Sequence, residues 1–520
     1  MVVGVVVLVV AGGVGLWLVL RGGSEGGKST ELGDRRAAAL AFAPSSAEVV
    51  AELAVNPGSE QGGKLRELAR TFAAARFASD GVRSSVRSLG LDVDDDLPEL
   101  LGGPVVAWGP AKAVTSLGAT VQGLALDLPA IARAGVSAAV VGRSADGVED
   151  ALTHAVDDGR LAKVAAPAPG VEGYAPPGNA VTLGRRGAEV VLARDAAAVA
   201  QAFATRDAQA GLTPATFQNR LGPLARIPAL VRAAGPARPI LAARADGVAW
   251  VDALREGSLA VSLEKPGVRL RVHLSTDATK VAADQLPLAA GPQPPRPAPG
   301  QNQIDVALRD PAQAIRFFDD NKNALDLPFL DPVKDALSTL DSVKGPLKTF
   351  GRIDVDDILD GLTGTATVTP ESPSTLALRA ELTTGGDLTS ALDRLAAVPD
   401  VALDLAGVDL NVERDGDSYV ITDHGDFKAK LAVVDDVLAL TNDQRASLRA
   451  IAARRPQAPA TTRSGALTFH LGGRAVQDEV VRRFGLPELS RLILNGFGDV
   501  DGGLRVERGG ADLDATLALN

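Results

Sequence analysis

The segment Leu259-Ala-Val-Ser-Leu-Glu-Lys-Pro-Gly-Val-Arg-Leu-Arg-Val-His-Leu274 alternates apolar with other side chains on both sides of Lys265-Pro266-Gly267. Alternation with a period of two is typical of a β-strand, and Pro-Gly favours a tight turn. A second segment has the same design: Leu504-Arg-Val-Glu-Arg-Gly-Gly-Ala-Asp-Leu-Asp-Ala-Thr-Leu-Ala-Leu519, with its turn at Gly509-Gly510. We therefore predict two β-hairpins.

These hairpins close two parts of the chain that resemble each other. Leu91-Asp-Val-Asp-Asp-Asp-Leu-Pro-Glu-Leu-Leu-Gly102 aligns without gaps on Ile353-Asp-Val-Asp-Asp-Ile-Leu-Asp-Gly-Leu-Thr-Gly364. Further strand-like pairs follow in the same order: 137–141 with 375–382, 189–195 with 437–443, and 240–243 with 467–470. Asp195 and Asp443 end the second pair and are each placed to cap a following helix. The pattern indicates an internal duplication.

Strand-length runs joined by short turns alternate with amphipathic helices, which favours antiparallel sheets over a doubly wound parallel sheet. We predict an α+β fold in which an N-terminal transmembrane helix precedes two tandem, internally homologous halves of antiparallel sheet plus helices. Each sheet would have one face covered by its own helices, with the other face meeting its counterpart or open as a groove. The predicted organisation is a transmembrane anchor at 1–21, a flexible linker at 22–43, a first half at 44–278, a Pro-rich linker at 279–301 and a second half at 302–520.

The first twenty residues carry no charged side chain. As a helix they would span about 30 Å, the thickness of a hydrocarbon core. Arg21 follows directly, and further basic residues come after it, which by the positive-inside rule would place the body in the cytoplasm. Long domains cross membranes largely regardless of such charges, however. We favour a single-pass protein of the cell membrane with its body outside the cytoplasm.

Composition excludes several classes of function. The chain of 520 residues has a formal charge of −11 and no stripe of Lys and Arg with interleaved aromatic residues, so a nucleic-acid partner is not expected. The absence of cysteine excludes disulfides, thiol catalysis and Cys-ligated zinc. None of the four histidines lies in a zinc-binding pattern, and we predict no cofactor and no catalytic residue.

Residues 22–29 fit the phosphate-binding loop pattern G-x-x-x-x-G-K-[ST] through Gly22, Gly27, Lys28 and Ser29. Such a loop binds phosphates only between a buried strand and a helix, within repeated βα units. Here a membrane-length apolar run precedes the loop and no series of such units follows. We favour a flexible Gly-rich linker over a nucleotide site.

Two Asp-rich segments are the candidate metal sites. Their carboxylates could bind calcium, but they lack the glycine turn and distal glutamate of a calcium-binding loop. Capping of a following short helix explains them more simply. The weak candidates are Asp92, Asp94, Asp95, Asp354, Asp356 and Asp357.

Residues Pro44-Ser-Ser-Ala47, a strand to Val55, Asn56-Pro57 and a helix opening at Gln61 resemble an uncharacterised bacterial family, domain of unknown function three-three-five-two. Residues 89–106 resemble that family's second landmark, although Glu99-Leu100 stands where the family often has tryptophan. The resemblance implies an exported, membrane-anchored bacterial protein and carries over no catalytic residue.

Together these observations predict a non-enzymatic protein of the cell envelope, held to the membrane by residues 1–20. It would bind an apolar ligand such as lipid between or within its halves, since ligand pockets favour domain interfaces. Two alternatives stay open. One is an enzyme, either a nucleotide hydrolase through Gly22 to Ser29 or an Asp-dependent hydrolase; the other is an envelope scaffold that binds a protein partner.

Overall fold

The structure is a computed structural model. It describes residues 29–54, 60–64, 83–116, 121–122, 125–126, 128–178, 181–242, 245–264, 267–291, 295, 304–325, 344–345, 348–349, 354, 356–357, 361–362, 364–372, 375–383, 385–397, 410–423, 426–455, 465–475, 477 and 496–519.

The described strands are β1 (Val49–Leu53), β2 (Val105–Gly109), β3 (Val121–Gln122), β4 (Ala125–Leu126), β5 (Ser137–Val141), β6 (Ala162–Ala168), β7 (Val171–Ala175), β8 (Thr182–Arg186), β9 (Glu189–Ala193), β10 (Val231–Pro236), β11 (Leu254–Glu264), β12 (Gly267–Thr276), β13 (Ile304–Arg309), β14 (Thr365–Ser372), β15 (Thr375–Glu381), β16 (Leu410–Asp415), β17 (Ser418–Asp423), β18 (Asp426–Val434), β19 (Val437–Thr441), β20 (Leu467–Leu471), β21 (Phe497–Glu507) and β22 (Gly510–Leu519). The described α-helices are α1 (Ser29–Leu40), α2 (Leu97–Leu100), α3 (Ala111–Ser116), α4 (Leu128–Arg133), α5 (Ala145–Asp157), α6 (Ala196–Asp207), α7 (Pro214–Leu221), α8 (Ala237–Ala242), α9 (Ala249–Asp252), α10 (Pro311–Asn321), α11 (Gly385–Ala396) and α12 (Leu448–Ala452).

All of these strands except β3 and β4 pair into one 20-stranded antiparallel sheet. From one end to the other, the order is β6-β7-β8-β9-β5-β2-β1-β10-β11-β12, then β22-β21-β20-β13-β14-β15-β19-β18-β17-β16. The last ten strands repeat the order of the first ten in reverse. The two predicted hairpins are confirmed as β11–β12 and β21–β22.

The predicted fold class is wrong. The chain does not form two separate α+β halves, because β12 and β22 pair along nine positions, from Gly267 opposite Ala518 to Ser275 opposite Gly510. The two sheets therefore join edge to edge rather than face to face. We call this β12–β22 pairing the seam. Its physical basis is that each hairpin leaves a row of unpaired backbone N–H and C=O groups on its outer strand, and each row satisfies the other.

The second strand of the pair predicted at 240–243 and 467–470 is correct, but the first is not. Residues Ala237–Ala242 form α8, and the strand that occupies the position equivalent to β20 is β10, at Val231–Pro236. β10 lies between β1 and β11 in the sheet. Its sequence, VRAAGP, has little of the β-branched and aromatic content that signals a strand.

Helices cover both faces of the first ten strands. On one face, α1, α6 and α7 pack on β1, β2, β5 and β9, where Phe42, Phe203 and Phe217 are fully buried. On the opposite face, α2 and α5 pack on a core that extends across the seam from Leu270 to Leu517. That shared core ties the two sheets together on one face only.

The predicted transmembrane segment at 1–21 lies outside the described residues. Among the described helices, none is both long enough and apolar enough to cross a membrane. The predicted flexible linker at 22–43 is partly helical, because α1 begins at Ser29 and continues to Leu40. Ala39, Leu40 and Phe42 at its end are completely buried, so apolar burial holds this segment against the sheet.

The two tyrosines of the chain give a prediction about pH. Burial, together with a hydrogen bond from the phenol to a carboxylate, raises the pKa of Tyr174 and that of Tyr419 each to about 12; the partners are Glu172 at 2.8 Å and Asp393 at 2.7 Å. The unfolded value is about 10. Because both folded pKa values are raised, this stabilisation is complete below pH 10 and is lost as the pH rises to 12.

We expect absorbance at 295 nm to show no phenolate in the folded protein at pH 10.5, and both phenolates at once when it unfolds. Glu172→Gln should lower the pKa of Tyr174 and leave that of Tyr419 unchanged. A folded protein that titrates fully near pH 10 would contradict this prediction.

Candidate functional site

Charged side chains cross the seam on one face of the sheet. Alternate residues of a strand share a face, and residues directly opposite one another on paired strands do too. Arg269, Arg271 and His273 of β12 therefore lie on the same face as Thr516, Asp514 and Asp512 of β22, which stand opposite them. We call this the seam face. The other face carries the alternating apolar residues, such as Val268 opposite Leu517.

The centre of the seam face is a network of ion pairs. Arg269 binds Asp514 with two hydrogen bonds of 2.6 Å, and its third guanidinium nitrogen lies 3.1 Å from Glu264. Arg271 lies 2.9 Å from Glu264 and donates to the hydroxyl of Ser262 at 3.3 Å. We call these five residues the seam cluster: Ser262, Glu264, Arg269, Arg271 and Asp514.

The seam cluster is mostly buried, so its members depend on one another. The side chains of Arg271 and Asp514 are 8% and 7% exposed. The hydrogen bonds to Asp514 raise the pKa of Arg269 above its usual range. Burial disfavours ionised Glu264, but hydrogen bonds from Ser262, Arg269 and Arg271 outweigh that effect and lower its pKa. The cluster thus favours the charged forms of Arg269 and Glu264.

Two histidine–aspartate pairs flank the seam cluster on this face. His273 Nδ1 lies 2.7 Å from Asp512 on β22, and His470 Nδ1 lies 2.8 Å from Asp501 on β21. In each pair the carboxylate engages Nδ1, which leaves Nε2 to accept a proton or a metal. Among the described residues no three His, Asp or Glu side chains are gathered to hold a metal ion. Each pair is therefore an imidazole oriented by one carboxylate, with no third metal ligand gathered beside it in the described part of the chain.

The Asp-rich segment at 92–96 forms a turn held by its own backbone. Asp92 Oδ1 accepts hydrogen bonds from the backbone N–H groups of Asp94 and Asp95 at 2.8 and 3.4 Å. Asp96 is fully buried, makes no capping bond to α2, and instead pairs with Arg160 at 2.5 Å. Its other carboxylate oxygen lies 3.4 Å from His154.

The second Asp-rich segment repeats the turn. Asp354 Oδ1 accepts from the N–H of Asp356 at 3.2 Å, and its other oxygen pairs with Lys348 at 2.7 Å. The hydrogen bond from Lys348 lowers the pKa of Asp354. Asp357 is exposed. The role of these carboxylates as metal ligands stays a prediction.

Of the phosphate-loop residues, Gly22, Gly27 and Lys28 lie outside the described residues. Ser29 is the first residue of α1. The sequence analysis missed the seam cluster. Its signal is the charge alternation Arg269-x-Arg271-x-His273 against Asp512-x-Asp514-x-Thr516, two complementary strands within the predicted hairpins.

The outer end of the first ten strands has a different character. β6 pairs with β7 alone among the described strands, with Val164 opposite Gly173 and an irregular register between Val164 and Ala168. Residues 162–166 are all exposed, and Val164 is 39% exposed. The opposite outer strand, β16, has the exposed charged residues Glu413, Arg414 and Asp415. Of the two outer strands of the described sheet, β6 is thus the one with an apolar edge.

Comparisons with known proteins give little. No protein-family model matches the chain, and no curated protein matches it. The crystal structure of TP0453 in crystal form III covers 47% of this chain and 82% of its own length, at 9% identity and a TM-score of 0.27. Crystal form I of TP0453 covers 42% and 77%, at 9% identity and a TM-score of 0.23. Likeness at this level supports no argument about fold or function.

Proposed function

We propose that this chain is a non-catalytic envelope protein that binds another protein, whose extended segment adds to the sheet at β6. The observation that carries this proposal is the exposed, apolar edge at residues 162–166. An edge strand offers unpaired backbone N–H and C=O groups, and an extended peptide satisfies them by continuing the ladder.

The chemistry of β6 favours such a partner. Proteins usually protect an edge strand with charges or by covering it. At β16 the charges are present, and Arg414 is paired with Asp393 at 2.9 Å. At β6 the only charged residue is Lys163, among Ala162, Val164, Ala165 and Ala166. An edge without that protection is what strand addition requires.

A segment of a different protein fits this edge better than a second copy of the chain. The seam shows what sheet-to-sheet joining needs in this fold: nine paired positions, an ion-pair network and a shared apolar core. β6 has seven residues, an irregular register and Pro167, which lacks an N–H. Two rigid bodies meeting there would bury far less than the roughly 1,200–2,000 Å² of a stable interface. A flexible segment adds contacts from its own side chains.

An apolar ligand has no binding surface on the polar face of the seam, because the seam cluster occupies that face. On the other face the seam is filled by apolar side chains, among them Leu270 and Leu517, each 2% exposed. We therefore favour a protein partner over a lipid held between the two sheets.

The test is site-specific photocrosslinking in cells that make the full chain. With a photoreactive residue at position 162 and, separately, at 166, we expect both to capture the same partner segment. The captured sites should be displaced by about four residues, because an added strand keeps register with β6. Val164→Glu should lower the yield at least about tenfold, since a desolvated charge opposes pairing.

Ala208→Glu is the matched control, because it adds the same charge at an exposed position just beyond α6 and should leave the yield unchanged. Capture of a second copy of the chain, or captured sites without register, would overturn the proposal.

A further inference from the structure

A second group of charged residues lies on the same side of the sheet as the seam face. Glu52 of β1 stands directly opposite Arg232 of β10, and Arg232 stands opposite Ala260 of β11. Arg36 of α1 reaches down to Glu52, with its guanidinium nitrogen 2.8 Å from the carboxylate. Glu52 thus forms an ion pair with Arg36 and also acts electrostatically on Arg232.

The Glu52 carboxylate bonds only one of the two arginines. Glu52 and Arg36 are 8% and 19% exposed at their side chains and form an ion pair. Arg232 is half-buried and makes no hydrogen bond and no ion pair within the described part of the chain, and its Nε is buried without a partner. The Nε of Arg36 is likewise buried and unbonded. The group carries an excess of one positive charge.

Two other buried arginines, Arg185 and Arg379, each pair with a carboxylate, and so does Arg271, although its Nε is also buried without a hydrogen-bond partner. Arg185 is 8% exposed, bonds Glu149 and Glu172 at 2.8 Å each, and donates to two carbonyl oxygens. Arg379 pairs with Glu381 at 3.1 Å and donates to the carbonyl of Ala452. A buried polar group without a partner calls for a bound ion or ligand to explain it. Arg232 is in that position.

Electrostatics point the same way. Burial lowers the pKa of Arg232; attraction to Glu52 opposes this, and repulsion from Arg36 adds to it. The cation is thus held where its charged form is disfavoured. A negative group bound there would relieve both the desolvation and the repulsion between the two arginines.

We propose that Arg232 and Arg36 bind an oxyanion, the carboxylate or phosphate group of a ligand. A guanidinium presents its N–H donors in a planar fork that matches two oxygens of either group. The excess of one positive charge is neutralised by one negative charge. This site does not include the edge strand β6. A failed test of the anion site would therefore leave the proposal of a protein partner unaffected, and the reverse also holds.

The experiment follows thermal unfolding of the purified full chain at pH 7 and constant ionic strength, in sodium chloride, sodium phosphate and sodium acetate. We expect phosphate or acetate to raise the Tm by about 1–3 °C relative to chloride, with saturation, because an anion that binds only the folded state stabilises it. The response to phosphate against that to acetate identifies which oxyanion the site prefers.

Variants separate the site from a general salt effect. Arg232→Met keeps the aliphatic stem and removes the charge, so it should abolish the anion response and raise the Tm in chloride above that of the wild type. Arg232→Lys keeps a charge without the fork and should weaken the apparent anion affinity at least about tenfold. Arg238→Met is the control, because Arg238 is exposed and paired with Asp252 at 2.9 Å. It should keep the full response.

Two results would overturn the proposal. One is an equal anion response in the wild type and in Arg232→Met. The other is a lower Tm for Arg232→Met in chloride, which would show that the charge of Arg232 is already compensated.

Discussion

Replacing Asp514 with alanine is expected to destabilise the folded chain by about 3–5 kcal/mol, the usual cost of removing one partner of a buried ion pair. Asp514 accepts both hydrogen bonds of the bidentate pair with Arg269, and Arg271 Nε lies 3.9 Å from it. Without Asp514, two guanidiniums at the seam share Glu264 alone. Urea unfolding monitored by circular dichroism measures the change in the free energy of unfolding.

Asp512→Ala is the matched control, two residues earlier on the same strand and face. Asp512 is 34% exposed and pairs with His273, so its removal should cost at most about 1 kcal/mol. The double variant Arg269→Met with Asp514→Leu removes both charges and should recover most of the stability lost in Asp514→Ala. Equal losses in Asp512→Ala and Asp514→Ala would show that the seam cluster does not hold the sheets together.

Replacing Gly510 with alanine is expected to open one end of the seam, at a cost of about 2–4 kcal/mol. Gly510 begins β22 at φ +156°, and a Cβ there would lie 2.1 Å from the carbonyl oxygen of Leu274 on β12. The other end of the seam has the same arrangement, since a Cβ on Gly267 would lie 1.9 Å from the carbonyl oxygen of Leu517. Backbone cannot move aside as a side chain does, so the strands must separate.

Hydrogen exchange locates the effect. In Gly510→Ala, the amides near 274–276 and 510–512 should exchange faster, and those near 267 and 517 should change less; Gly267→Ala should give the reverse. Gly509→Ala is the control, because a Cβ on Gly509 meets nothing within 4 Å. If Gly509→Ala and Gly510→Ala exchange alike, close approach at the seam is not what Gly510 provides.

The local elements of this fold were accessible from the sequence. The alternation in 259–274 and 504–519 predicts both hairpins, because side chains of a strand point to opposite faces at every second residue. Asp195 is predicted to cap a helix, and its side chain accepts a hydrogen bond from the N–H of Ala198 at 2.7 Å. The matching position Asp443 binds the N–H of Arg445, but the helix that follows begins at Leu448 and is capped by Ser447. A capping residue is recognisable from the local sequence. The exact residue at which the helix begins is not fixed by that local sequence.

How the two sheets join was decided by tertiary structure alone. A hairpin's outer strand presents the same backbone donors and acceptors whatever its sequence, so the pattern does not name the strand that will pair with it. Arg269 of β12 and Asp514 of β22 are 245 residues apart in the chain. What brings the two strands together is the match of Arg269 and Arg271 to Asp514, the two glycines at the seam ends and the apolar core beneath. For the same reason, the sequence could not predict that Arg232 lacks a carboxylate partner. Whether an arginine has a partner depends on which strands lie beside it, and that is a property of the folded sheet.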